Sequence, residues 1–111
     1  MKNIKVDFHK SLGGVECINK VTKDETDKGE LLAAIIELVK DPIGTLNLFT
    51  SKKLNKKLKG FNPKKIWEIK VGAYRIFYQQ TDNLILILGI IRKEKNHTEQ
   101  RYIKLLKQRS I

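Results

Sequence analysis

The sequence predicts an α+β domain, with helices packed on a four-stranded, mostly antiparallel sheet. Three observations predict it. Three strand-like runs follow one another closely between residues 66 and 91, and short turns between them force an antiparallel meander. One alternating run, "NIKVDF" (3–8), stands alone near the start and must join that sheet or leave its apolar face bare. Elsewhere the apolar period lengthens from two to three and four, as on a helix.

Each element has its own reason. In residues 3–8, Ile4, Val6 and Phe8 share one face of a short half-buried strand. From Ser11 onward Leu12, Val15, Ile18 and Val21 recur every third residue, which suits a helix whose start Gly13 and Gly14 weaken. "KDETDKG" (23–29) is a polar break, and Asp27 with Glu30 resembles a capping pair for a second helix. Leu31, Leu32, Ile35, Ile36, Leu38 and Val39 make its apolar stripe, and Asp41-Pro42 stops it, because a residue before proline disfavours helical torsions. The two helices read as a hairpin. "DPIGTLNLFTS" (41–51) reads as a loop anchored by Leu46, Leu48 and Phe49.

"IWEIK" (66–70) alternates, Val71-Gly72 reverses the chain, and "YRIFYQQ" (74–80) returns. "TDN" (81–83) is a second turn. "LILILGII" (84–91) lacks polar alternation and is the expected central strand, covered on both faces. Asn96 with Glu99 opens a last helix, in which Tyr102, Leu105 and Leu106 share a face with Ile103 beside them. No repeat, low-complexity stretch or linker interrupts residues 1–111, which read as a single domain.

The formal net charge is +11 over 111 residues, far beyond what solubility requires of a small domain. Such an excess points to an anionic partner, nucleic acid first and a membrane surface second. Between Lys52 and Lys65 the chain carries Lys52, Lys53, Lys56, Lys57, Lys59, Lys64 and Lys65 with no acid among them. That run is either a solvated loop or a grip on an RNA backbone. Cys17 is the single cysteine, so neither an internal disulfide nor a thiolate zinc site can form. Two histidines, His9 and His97, are too few to suggest a metal centre, and no metal or other cofactor is expected. "MKNIKVDFHK" has no apolar core of a signal peptide, and the longest apolar run is about half a membrane span. A cytoplasmic protein without a membrane partner is expected.

One residue stands out against this background. Ala73, Arg75, Phe77 and Gln79 project to one face of their strand, and Tyr74, Ile76, Tyr78 and Gln80 to the other. The second set looks like core. Arg75 then lies on the opposite face, in a concave part of the sheet, where a guanidinium needs a carboxylate or a visiting phosphate. Glu68, on the neighbouring hairpin strand, is the internal candidate. Arg92, Lys93 and Lys95 leave the end of the central strand, and their convergence with Arg75 would form a basic cleft.

The ordered set Lys57-Leu58-Lys59-Gly60, Trp67-Glu68-Ile69-Lys70, Gly72-Ala73-Tyr74-Arg75-Ile76-Phe77-Tyr78 and Arg92-Lys93 resembles the RelE/ParE/HigB toxin superfamily of bacterial type II toxin–antitoxin systems. It is most similar to the HigB-like, phage-associated branch. The resemblance covers residues 57–100 well and the first fifty only in element order. It implies a RelE-like, microbial-ribonuclease-type fold, cleavage of mRNA in the ribosomal A site, and inhibition by a cognate antitoxin. The partners it implies are that antitoxin, mRNA on the ribosome and ribosomal RNA.

On this resemblance Arg75 holds the scissile phosphate, and Arg92, Lys93 and Lys95 form the basic cluster after the last strand. His97 is a candidate general base or a solvated histidine, and Tyr102 a catalytic tyrosine or a packing residue. The lysines from Lys52 to Lys65 would grip RNA or the ribosome. The chain departs from the family where His97-Thr98-Glu99 stands in place of a proline-containing loop. A ParE-like gyrase inhibitor on the same fold, and a non-catalytic relative binding nucleic acid or an antitoxin-like partner, remain the alternatives.

Overall fold

The computed structural model describes residues 5–40, 66–81, 83–92 and 100–110. Four strands, β1 (Lys5–Phe8), β2 (Trp67–Val71), β3 (Tyr74–Thr81) and β4 (Leu84–Arg92), form one sheet in the order β1-β4-β3-β2. The β2–β3 and β3–β4 pairs are antiparallel, as their short connections require. β1 adds parallel to β4, with Val6 opposite Ile85 and Phe8 opposite Ile87. β4 is therefore internal, as its unbroken apolar run predicts. The architecture is the expected α+β sheet with helices and is consistent with a RelE-like fold.

The helices are α1 (Cys17–Val21), α2 (Glu25–Lys40) and α3 (Gln100–Arg109). Two sequence expectations need correction. The helix expected from Ser11 is only α1, preceded by a single 3-10 turn at Lys10–Leu12. Gly13 and Gly14, at φ +77° and +92°, take the left-handed conformation that a continuous helix excludes. Val15 then falls outside the helix and is exposed. The second helix starts at Glu25, before the proposed Asp27–Glu30 pair, because Asp24 is the cap: its carboxylate accepts the Asp27 N–H at 2.9 Å. The Asp27 carboxylate instead accepts the Tyr74 hydroxyl at 2.7 Å and ties α2 to β3.

Both sheet faces are covered. On one, Leu31, Ala34, Ile35 and Leu38 of α2 and Ile18 of α1 pack against Ile69, Ile76, Tyr78 and Ile87. On the other, Phe77 and Leu88 pack against Leu106 of α3, with Leu86, Ile91 and Tyr102 at the margin. Two-sided coverage of β3 is a third departure from expectation, since Phe77 and Gln79 of the Arg75 face are themselves buried.

The β3–β4 register slips between Phe77, opposite Gly89, and Tyr78, opposite Ile87. Leu88 is thus the extra residue of a bulge in β4. The bulge carbonyl has left the regular ladder, and the Arg109 guanidinium of α3 donates to it at 2.8 Å. Beside it, a Cβ at Gly89 would collide with the Tyr102 hydroxyl and lie 3.1 Å from Tyr102 Cζ. Bulge, glycine, Tyr102 and Arg109 together seat α3 on the sheet.

Candidate nucleic-acid interface

Arg75 is the second residue of β3, just past the Gly72–Ala73 turn, opposite Lys70 of β2 and Ile91 of β4. It is half-buried. Its Nη1 donates to the Gly72 carbonyl at 3.1 Å and to the Tyr74 carbonyl at 2.9 Å. These two bonds fold the side chain onto its own turn and leave the other guanidinium donors without a described protein acceptor. The rival partner Glu68 is buried and sits opposite Phe77, two pairs along on the same face. Among the described residues the only ion pair is Lys28–Glu25, so Arg75 meets no carboxylate there.

Directly across from Arg75 is Lys70, which is exposed. Opposed residues of an antiparallel pair share a face and lie close, and like charges so placed repel. An anion relieves that repulsion. Lys70 is thus a further candidate for this site, named in the sequence only as part of the Trp67-Glu68-Ile69-Lys70 motif. The signal was available: with a two-residue turn between Val71 and Tyr74, the next pair outward is Lys70 with Arg75.

The remaining expected residues divide. Arg92 is exposed and lies opposite Tyr74, whose side chain belongs to the α2 face. Arg92 and Arg75 therefore sit at the same end of the sheet but root on opposite faces. Lys93, Lys95 and His97 lie outside the described residues, as do Lys52, Lys53, Lys56, Lys57, Lys59, Lys64 and Lys65.

Tyr102 is a packing residue in this arrangement. Its ring lies 5.5 Å from that of Phe77, inclined at 56°, and over Gly89. Burial pushes its hydroxyl up to about 12, so the phenol keeps its proton at neutral pH. A group in that state can donate a proton but is not a general base. Phe77 is two residues from Arg75 on the same face, which places Tyr102 about 7 Å along the strand from the arginine's level.

A second set of groups gathers at the bulge. The His9 N–H donates to the Ile87 carbonyl at 2.8 Å, extending the β1–β4 ladder by one residue. Its Nδ1 lies 2.7 Å from Ser11 Oγ. Burial, then the nearby Arg109 and Lys10 charges, hold the His9 pKa below its usual value. Arg101, Lys104 and Lys107 are exposed on α3, and α3 contains no acid, so this side of the molecule is positive over a whole helix. Among the described residues, no helix is long and apolar enough to cross a membrane.

Residues 20–97 match the family described as the ParE toxin of the type II toxin–antitoxin system, parDE. The matched stretch includes Lys70, Arg75 and Arg92 and ends before Tyr102 and α3. No curated protein and no solved structure matched the chain.

Proposed function

Since the chain belongs to the ParE toxin family of type II toxin–antitoxin systems, and such a toxin has an antitoxin partner, we propose that it arrests growth by cleaving mRNA on the ribosome. The observation that carries this reading is the Arg75 guanidinium, half-exposed beside Lys70 and without a carboxylate partner among the described residues. The ordered motifs from Lys57 to Lys93 resemble those of the HigB-like branch of the superfamily, and that resemblance supports the reading.

RNA carries its own nucleophile. The ribose 2′-hydroxyl attacks the adjacent phosphorus, the P–O5′ bond breaks, and a cyclic phosphate and a 5′-hydroxyl result. The proton leaves O2′ and a proton must reach O5′. Arg75 meets the extra negative charge of the transition state with a fixed fork of donors. Lys70 adds a point charge beside it. Lys93 and Lys95 neutralise flanking phosphates or the leaving oxygen, while Arg92, rooted on the other face of the sheet, is left to phosphates beyond the scissile one. His97 has the pKa range of a general base. Tyr102, packed on Phe77 and over Gly89, is given no part in the step.

The family match itself favours a second reading, a toxin that inhibits gyrase by binding. Inducible expression separates the two, with translated messages and the DNA-damage response followed together. Rapid cleavage of translated mRNA is expected. Intact mRNA with an induced damage response overturns the nuclease reading in favour of the gyrase inhibitor.

A further inference from the structure

We propose that the outer face of α2 is a self-pairing surface through which two copies of this chain associate. Leu31, Ala34, Ile35 and Leu38 of α2 are buried against the sheet. At roughly 100° per residue, the side opposite them carries Glu25, Gly29, Leu32, Ala33, Ile36 and Lys40, with Thr26 and Glu37 along its other border. The solvent face of such a helix is ordinarily polar. Here Gly29, Leu32, Ala33 and Ile36 form a stripe without a polar side chain, and Leu32 and Ile36 are 42% and 45% exposed. Among the described residues the only other large apolar side chain so exposed is Val15.

This stripe is complementary to itself. Two antiparallel copies of α2, related by a two-fold axis between Leu32 and Ala33, set Leu32 against the second copy's Ala33 and Ile36 against its Gly29. They also set Glu25 against Lys40 at both ends. Large meets small at each apolar level, and opposite charges close the ends, as an isologous interface requires. Gly29 and Ala33, four residues apart, remove the bulk that would hold the helix axes away from each other.

Charge favours the same arrangement. Residues 16–40 hold six acids against four lysines in a chain of net charge +11. The helical hairpin therefore carries a small negative excess, and pairing through it keeps the basic faces apart. Arg75, Lys70 and α3 remain outward on each copy, where an acidic antitoxin segment fits by charge. A helix of this length spans roughly 24 Å, so α2 alone makes a small interface. A small interface of this kind makes the dimer concentration-dependent.

Sedimentation equilibrium of the purified chain across the micromolar range tests this. A shift from one to two chain masses is expected. Leu32→Glu should remain monomeric throughout with an unchanged circular dichroism spectrum, and Ile36→Lys provides a second variant should the first misfold. Glu25→Lys and Lys40→Glu should each weaken association by roughly threefold, and the double variant should restore it. A chain monomeric at every concentration overturns the proposal. So does a dimer that both apolar-stripe variants leave intact, or a stripe protected from hydrogen exchange only when the antitoxin is bound. The result is independent of mRNA cleavage, so a failure here and a failure of the nuclease reading are separately visible.

Discussion

The two faces of the sheet are built by different rules. The α2 face is closed by a long helix whose buried stripe meets an uninterrupted set of apolar side chains, and its one described polar link is Tyr74 to Asp27. The α3 face is closed over part of its length by a ten-residue helix held at a β-bulge. Beyond that helix the same face presents Arg75 and Lys70 side by side. Burial decides the first face and charge the second. A strand position that can be spared from packing is where a permanent cation can be kept for a ligand.

The largest expected effect breaks the α2 face. Leu31 is fully buried, and Leu31→Ala should cost about 2–5 kcal/mol in urea unfolding, the range for an emptied core site. Next comes the seat of α3. Gly89→Ala drives a methyl into the Tyr102 hydroxyl and should destabilise by roughly 1–3 kcal/mol, the range for overpacking. Tyr102→Phe removes the atom in closest conflict, so the double variant should recover part of that loss. Additive losses would show that the bulge does not depend on this contact.

A smaller change sharpens the difference between the faces. Lys70→Gln should leave stability within about 0.5 kcal/mol, as surface substitutions usually do. It should lower the salt slope of nucleic-acid binding by about one. An unchanged slope would place the bound backbone elsewhere. The smallest effect is a pH effect at His9. Its folded pKa lies below the unfolded 6.5, so the folded state binds fewer protons between the two values. That stabilisation is complete above pH 6.5 and is lost as pH falls through the folded pKa. His9→Gln should flatten this acid slope, as followed by thermal melts from pH 5 to 8.

The parts legible in the sequence are those set by local pattern. Alternation in β1 and β3, the apolar run of β4 and Gly72 gave the strands, and their spacing gave the antiparallel meander, although the turn is Gly72–Ala73 and not Val71-Gly72. The stripe of α2 was equally plain. Its start was not, because Asp24 and Asp27 are both capping residues and only the backbone shows which one is used. The helix expected from Ser11 failed at two adjacent glycines whose left-handed torsions outweigh a three-residue apolar period. The β4 bulge left no mark in "LILILGII" except Gly89, whose reason is Tyr102, thirteen residues on.

At the site, Arg75 was legible as a charge out of place in a strand. Lys70 was hidden because pairing register, not periodicity, puts it beside Arg75. The face of Arg92 followed from the same register. Tyr102 was ambiguous until its ring was seen on Phe77. Arg109 gave no signal, since a basic residue in the last turn of a helix is ordinary and its acceptor exists only because a strand bulges.

The most direct test is Arg75→Ala, assayed for cleavage of translated mRNA and, on the same sample, for unfolding. Nothing but two carbonyls of its own turn holds Arg75 among the described residues, so the variant should melt close to the parent. Cleavage should fall by about a hundredfold or more, the usual loss when a preorganised transition-state donor is removed. A variant that unfolds would make the arginine a structural brace of the turn, and one that folds and cleaves at the parental rate would contradict its role at the phosphate.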